Sequence, residues 1–167
     1  MSVEKEIKFI EREKLFIGPV EVVCDPRIKA HCRDAYYNHP QGCPNWNYKT
    51  GCPPHVPYFP DIYQKEAHIA AIRFNFAEYL AQKREKHPDW TDRALRNPRH
   101  WQNHLRSELR HFLENELPGR PDIQGDVIFN PEALGVNLFA TCASAGIILE
   151  RTPINFVYNI ALIALRT

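Results

Sequence analysis

Between Cys24 and Pro60 the chain reads CDPRIKAHCRDAYYNHPQGCPNWNYKTGCPPHVPYFP, and no other stretch so narrows what it can fold into. The stretch holds four of the five cysteines, Cys24, Cys32, Cys43 and Cys52, together with half of the fourteen prolines. Proline removes a backbone donor and biases the residue before it away from the α region, so neither a long helix nor a central strand can run through this segment. It has to be an irregular wrap over 24–60. Few large aliphatic side chains are present to order it by burial, so another source of free energy must offset its conformational entropy, and a bound metal or cluster is the expectation.

The rest of the chain has the composition of a soluble domain. At 167 residues, 44% hydrophobic and 25% charged, a single domain spanning 1–167 is expected. A net charge of +1 gives no overall attraction to nucleic acid or anionic membrane. The opening MSVEKEIKFIEREK carries scattered charges and no apolar signal core, and no later run reaches the roughly 18 to 20 apolar residues of a spanning helix, so a cytoplasmic protein without a membrane partner is expected. In a reducing compartment, clustered cysteines are more often metal-binding or catalytic than disulfide-paired.

Hydrophobic periodicity outlines the scaffold. Ile7, Phe9 and Ile10 suggest a short edge strand before a turn at Lys14-Leu15, and Val20, Val22 and Val23 suggest a strand ending at Cys24. Ile72, Phe74 and Phe76 alternate as in a strand, after which AEYLAQKRE is helical up to His87-Pro88. Thr91 is a suitable N-cap, and Trp101, Leu105, Leu109, Phe112 and Leu113 form one apolar stripe of a long helix, interrupted at Pro98 and ended by residues 118–121; the helical segment spans 77–117. Asn130 is placed to cap a helix that begins at Pro131 and stops at Gly146. INFVYNIALIAL, 154–165, has the near-continuous apolar character of a central strand, so the C-terminal helix and strand occupy 131–165. The sum is an α+β or α/β fold, a small mixed sheet covered by two or three helices and carrying the wrap.

The wrap's spacing, Cys24-x7-Cys32-x10-Cys43-x8-Cys52, lacks the closely spaced cysteine pairs of most tetrahedral zinc modules. An iron-sulfur cluster, with several iron corners, accepts single thiolates from separate turns, so a 4Fe-4S cluster on Cys24, Cys32, Cys43 and Cys52 is favoured and zinc is the alternative. Gly42 and Gly51 precede two of the cysteines and allow close backbone approach. His31 and His55 are reserve ligands, and His39 lies among them. Trp46, Tyr48, Tyr36, Tyr37, Tyr58 and Phe59 are available to shield a cluster, or simply to pack. The bland alternative for each cysteine is a small buried hydrophobe, which is the preferred role for Cys142; a spare thiol facing the wrap is its other role. His100 and His104, at helical i, i+4 spacing with Glu108 beyond and His111 further along, offer a second metal face, but they lack a HExxH motif and have arginines nearby, so a solvated polar face is the preferred reading. Arg93, Arg96, Arg99, Arg106 and Arg110 are diluted by acidic neighbours, which leaves nucleic-acid binding unsupported.

The steps Gly42-Cys43-Pro44-Asn45 and Gly51-Cys52-Pro53-Pro54-His55 resemble a family of small prokaryotic proteins of unknown function described only as metal-binding, in which a GCPN-like step precedes a CPP step and an upstream cysteine accompanies them. PEALGVNLFAT near the C-terminus resembles the helix of the same family. The resemblance implies metal binding by Cys24, Cys32, Cys43 and Cys52. Longer members carry a second cysteine-rich stretch, whereas residues 77–120 here contain no cysteine, so no second cluster is implied. Three functions are carried forward: one iron-sulfur cluster serving electron transfer or redox and sulfur chemistry with an unidentified redox partner or small-molecule substrate, a zinc-stapled interaction module, and a zinc-dependent hydrolase using His100 and His104.

Overall fold

The structure, a computed structural model, describes residues 7–35 and 39–167. Tyr36 and Tyr37 of the expected aromatic shield lie outside the described residues. Four strands, β1 (Arg12–Glu21), β2 (Tyr63–Asn75), β3 (Asp126–Ile128) and β4 (Phe156–Arg166), form one sheet in the order β1-β2-β4-β3. The helices are α1 (Phe59–Ile62), α2 (Phe76–Lys86), α3 (Asp92–Leu95), α4 (Gln102–Glu116) and α5 (Leu138–Ser144). The α+β class holds, and the sheet, expected to be mixed, is antiparallel. Its apolar C-terminal strand is central, as its composition predicts, with β2 on one side and β3 on the other.

The chain divides into two compact units, each assembled from three separate segments. The first comprises residues through Phe16, Ala70–Pro121 and Leu149–Ile160. Its core is the stripe of α4, Leu105, Leu109, Phe112 and Leu113, together with Phe74, Phe76 and Tyr79, all buried. Phe112 meets Phe16 with ring centroids 4.6 Å apart, and Phe76 meets the edge of Trp101 at 5.4 Å. The expected Thr91 cap is in place, its hydroxyl accepting from the Ala94 N–H at 3.2 Å, and α2 is capped by Asn75, whose side chain accepts from the Glu78 N–H at 3.1 Å. Pro98 breaks the helical run into α3, a 3₁₀ turn over Pro98–His100, and α4. The strand expected at Ile7–Ile10 is instead a turn, closed by Ile10 N–H on the Ile7 carbonyl at 3.1 Å, with Ile7 and Ile10 buried. Arg12 explains the preference, because its guanidinium donates to the Ile7 and Ile10 carbonyls and to Glu108. β1 then runs straight through the expected Lys14-Leu15 turn; it is the edge strand, where Pro19 is tolerated.

The second unit comprises Ile17–Ile69, Asp122–Ile148 and Ala161–Thr167. β3 pairs antiparallel with β4, Asp126 opposite Ala164 and Ile128 opposite Leu162. Tyr63 Oη and Arg166 Nε both donate to Asp126 Oδ2, at 3.1 and 2.7 Å, and the Arg166 bond above all holds that carboxyl below the usual carboxylate range. The single helix expected over 131–146 is split. Gly135 takes a left-handed φ of +86°, ending a 3₁₀ turn at Pro131–Leu134, and Asn137 then caps α5 by accepting from Ala140 N–H at 3.1 Å. Asn130, the expected cap, makes no side-chain cap bond.

Gly125 precedes β3 with a φ of +133°, and a Cβ there would stand 2.3 Å from the Ala164 carbonyl oxygen. Gly125→Ala is therefore expected to lower stability by about 2 to 4 kcal/mol, whereas Gly119→Ala, which meets nothing within 4 Å, changes it by less than about 0.5 kcal/mol. Urea denaturation of the two variants tests this, and equal midpoints would contradict the steric account.

Candidate metal centre

The wrap belongs wholly to the second unit, and backbone pairing fixes its first cysteine. Cys24 lies opposite Val136 in an isolated antiparallel bridge, flanked by Asn137 N–H on the Val23 carbonyl at 2.7 Å and Asp25 N–H on the Gly135 carbonyl at 2.8 Å. Val23 N–H also donates to Thr141 Oγ1 at 3.0 Å, which explains a threonine with no exposed surface on α5. From there Asp25 caps a 3₁₀ segment, Pro26–Arg33, by accepting from the Arg27 N–H at 2.9 Å. This segment packs against the 3₁₀ turn Pro131–Leu134 and carries Cys32 near its end.

The chain then returns beside Cys32. Cys43 N–H donates to the Cys32 carbonyl at 2.7 Å, and Gly42, with a φ of +87°, lies so close that an added Cβ would come within 2.6 Å of the Cys32 oxygen and the Arg33 backbone. Only glycine fits there. A further turn is held by Asn47 N–H on the Pro53 carbonyl at 2.8 Å and Cys52 N–H on the Lys49 carbonyl at 3.0 Å. The exit is anchored by buried Val56 and Phe59, with Lys29 Nζ donating to the Val56 carbonyl at 2.8 Å.

These folds bring Cys43 and Cys52 to bear on Cys32. Burial above all pushes the Cys32 thiol up, and the Cys43 and Cys52 thiolates, then Glu132 and Asp34, add to it. A site that crowds negative charge around a thiol is one where a cation restores the thiolate. Thiolate donors suit iron-sulfur clusters and zinc alike, so the donor chemistry fits either. All four wrap cysteines are half-buried and free. Among the described residues, however, no group of three or more His, Cys, Asp or Glu side chains is arranged so that it could hold a metal ion.

Cys24 stands beside Tyr58. Burial pushes both the Cys24 thiol and the Tyr58 hydroxyl up, with the Cys24 charge adding to the latter, and the Tyr58 ring covers Gly135, where a Cβ would lie 2.8 Å from it. Of the reserve ligands, His31 is exposed and its Nδ1 is 2.6 Å from Asp34 Oδ2, while exposed His55 donates its backbone N–H to the Cys52 carbonyl at 3.2 Å. Trp46 is half-buried beneath the Arg33 guanidinium, 5.7 Å from the ring centroid, but Tyr48 is 83% exposed and shields nothing. Glu132 and Asp34 are site residues that cysteine spacing does not reveal; Glu132 comes to Cys32 only because two 3₁₀ segments pack together.

The second metal face does not form on one helix. His100 closes the 3₁₀ turn before Trp101, whereas His104 lies within α4, so Pro98 has removed the i, i+4 register. Glu108, next in that row, accepts from Arg12. No protein-family model, curated protein or solved structure matches the chain. Among the described residues no helix is long and apolar enough to cross a membrane.

Cys142 has no exposed surface, and burial, with Glu132 second, pushes its thiol up to about 11. Its neutral form therefore supports the fold fully below about pH 8.5, where an unfolded cysteine is also protonated. Above that pH only the unfolded chain releases the proton, and stability falls as pH rises toward about 11. Relative to wild type, Cys142→Ala is expected to flatten this alkaline loss by up to about 3 kcal/mol, as read from urea midpoints between neutral and alkaline pH; parallel curves would refute a buried titrating thiol.

Proposed function

We propose that the wrap holds one iron-sulfur cluster, 4Fe-4S favoured, with Cys32, Cys43 and Cys52 as its converging thiolate ligands and Cys24, at the wrap's start, available for the fourth iron. The observation that carries this is that Cys43 and Cys52, from two further turns, bring negative charge to bear on Cys32, whose carbonyl the Cys43 N–H reaches at 2.7 Å. The resemblance of the two Gly-Cys-Pro steps to a metal-binding family supports the same reading.

A cluster held there would be ligated by three half-buried thiols on a loop anchored at both ends, so its affinity would be coupled to the stability of that loop. The cluster supplies one-electron chemistry; the chain supplies thiolates, backbone donors in the turns and partial exclusion of water. Ligation by all four cysteines leaves a cluster suited to electron transfer with a redox partner. Ligation by three leaves an iron open to a small molecule, and with it redox or sulfur chemistry.

Anaerobic purification, or reconstitution with iron and sulfide, is expected to give a brown protein with matching iron and acid-labile sulfide. Cys43→Ser is expected to lose most of the bound iron, and Cys142→Ala to keep it. Colourless protein with one equivalent of zinc and no labile sulfide would replace this reading with the zinc-stapled interaction module, and unchanged metal content in Cys43→Ser would remove the site.

A further inference from the structure

Within the wrap, Cys32 and Cys43 are joined directly through their backbones. Their direct backbone hydrogen bond of 2.7 Å holds the two Cα atoms within roughly 6 Å, inside the span that a disulfide bridges. Gly42 makes the approach possible, since its missing Cβ is the space occupied by the Cys32 carbonyl and the Arg33 backbone. Both residues are half-buried and free, so their thiols are within reach of a small oxidant.

We propose that, in the metal-free chain, Cys32 and Cys43 form a dithiol redox pair that closes to a disulfide by exchange with a low-molecular-weight disulfide such as oxidised glutathione. One cysteine thiolate attacks the small disulfide, forming a mixed disulfide and releasing one small thiol. The other cysteine thiolate displaces the second small thiol and forms the Cys32–Cys43 bond. The two protein thiols lose two electrons and two protons, and the small disulfide gains both. This chemistry does not depend on the metal reading. Its regulatory consequence does rest on that reading, because closure removes two of the proposed ligands and makes thiol oxidation and metal loading mutually exclusive.

Cys52 is the competing partner, since its charge also bears on Cys32. Its own turn closes on Lys49, however, whereas Cys43 is bonded to Cys32 itself. The geometry thus selects one pair.

Chelator-treated, reduced protein is incubated anaerobically with oxidised glutathione, and its peptides are mapped without reduction. Two of the five thiols are expected to disappear, with the Cys32 and Cys43 peptides linked as the dominant product; in urea the same chain should give mixed pairings. Cys52→Ser should retain the linkage and Cys43→Ser abolish it. Gly42→Ala, checked by circular dichroism for an intact fold, should slow closure at least several-fold. Five free thiols after treatment, a dominant Cys32–Cys52 linkage, or the same mixture in folded and unfolded protein would overturn the pair. Iron and sulfide reconstitution of the untreated protein is run beside it. A disulfide without iron uptake leaves the pair standing and the cluster refuted, and iron uptake without the disulfide does the reverse.

Discussion

Three residues of backbone pairing, Val23 to Asp25 against Gly135 to Asn137, decide where the wrap starts. Two hydrogen bonds of 2.7 and 2.8 Å close this bridge, with buried Val136 at its centre and Thr141 Oγ1 receiving the next N–H along. Each such bond contributes about 0.5 to 1.5 kcal/mol net, and burying a valine or phenylalanine side chain adds about 1.5 to 3 kcal/mol. At the other end Phe59 is buried, Tyr58 lies over Gly135, and the Thr167 N–H reaches the Ile62 carbonyl at 2.9 Å. The ends of the wrap are thus held by burial and pairing, while its cysteines remain half-buried.

The two kinds of cysteine show how environment separates them. Cys142 has no exposed surface on α5, and burial dominates its raised pKa. Cys32 is also shifted by burial first, but other thiols and two carboxylates add to it, so its neighbourhood has a charge that a cation would neutralise. One residue type therefore serves packing in the first case and a candidate coordination site in the second, and the difference lies in what surrounds it.

Much of the scaffold was legible because local signals and tertiary demands agree. The α4 stripe, the Thr91 cap, the Pro98 break and the central apolar strand follow from periodicity and side-chain chemistry that nothing in the fold overrides. Two expectations failed where a hydrogen-bond partner that periodicity does not register decides. Arg12 turns the Ile7–Ile10 alternation into a buried turn by capturing its carbonyls. Gly135 breaks the 131–146 helix because the chain must reverse there to pair with Asp25. His100 and His104, the less favoured metal face, do not share one helix, because α4 begins after His100.

The sequence by itself determined that residues 24–60 are an irregular wrap, because seven prolines' worth of missing donors and restricted neighbours act through covalent geometry alone. It also determined which donors the wrap has available. Only the tertiary structure decided which donors meet. Cys43 and Cys52 act on Cys32, Glu132 adds to them from another segment, and the Cys24 charge reaches Tyr58, because loop closure and the packing of two 3₁₀ turns are set by contacts far apart in the chain.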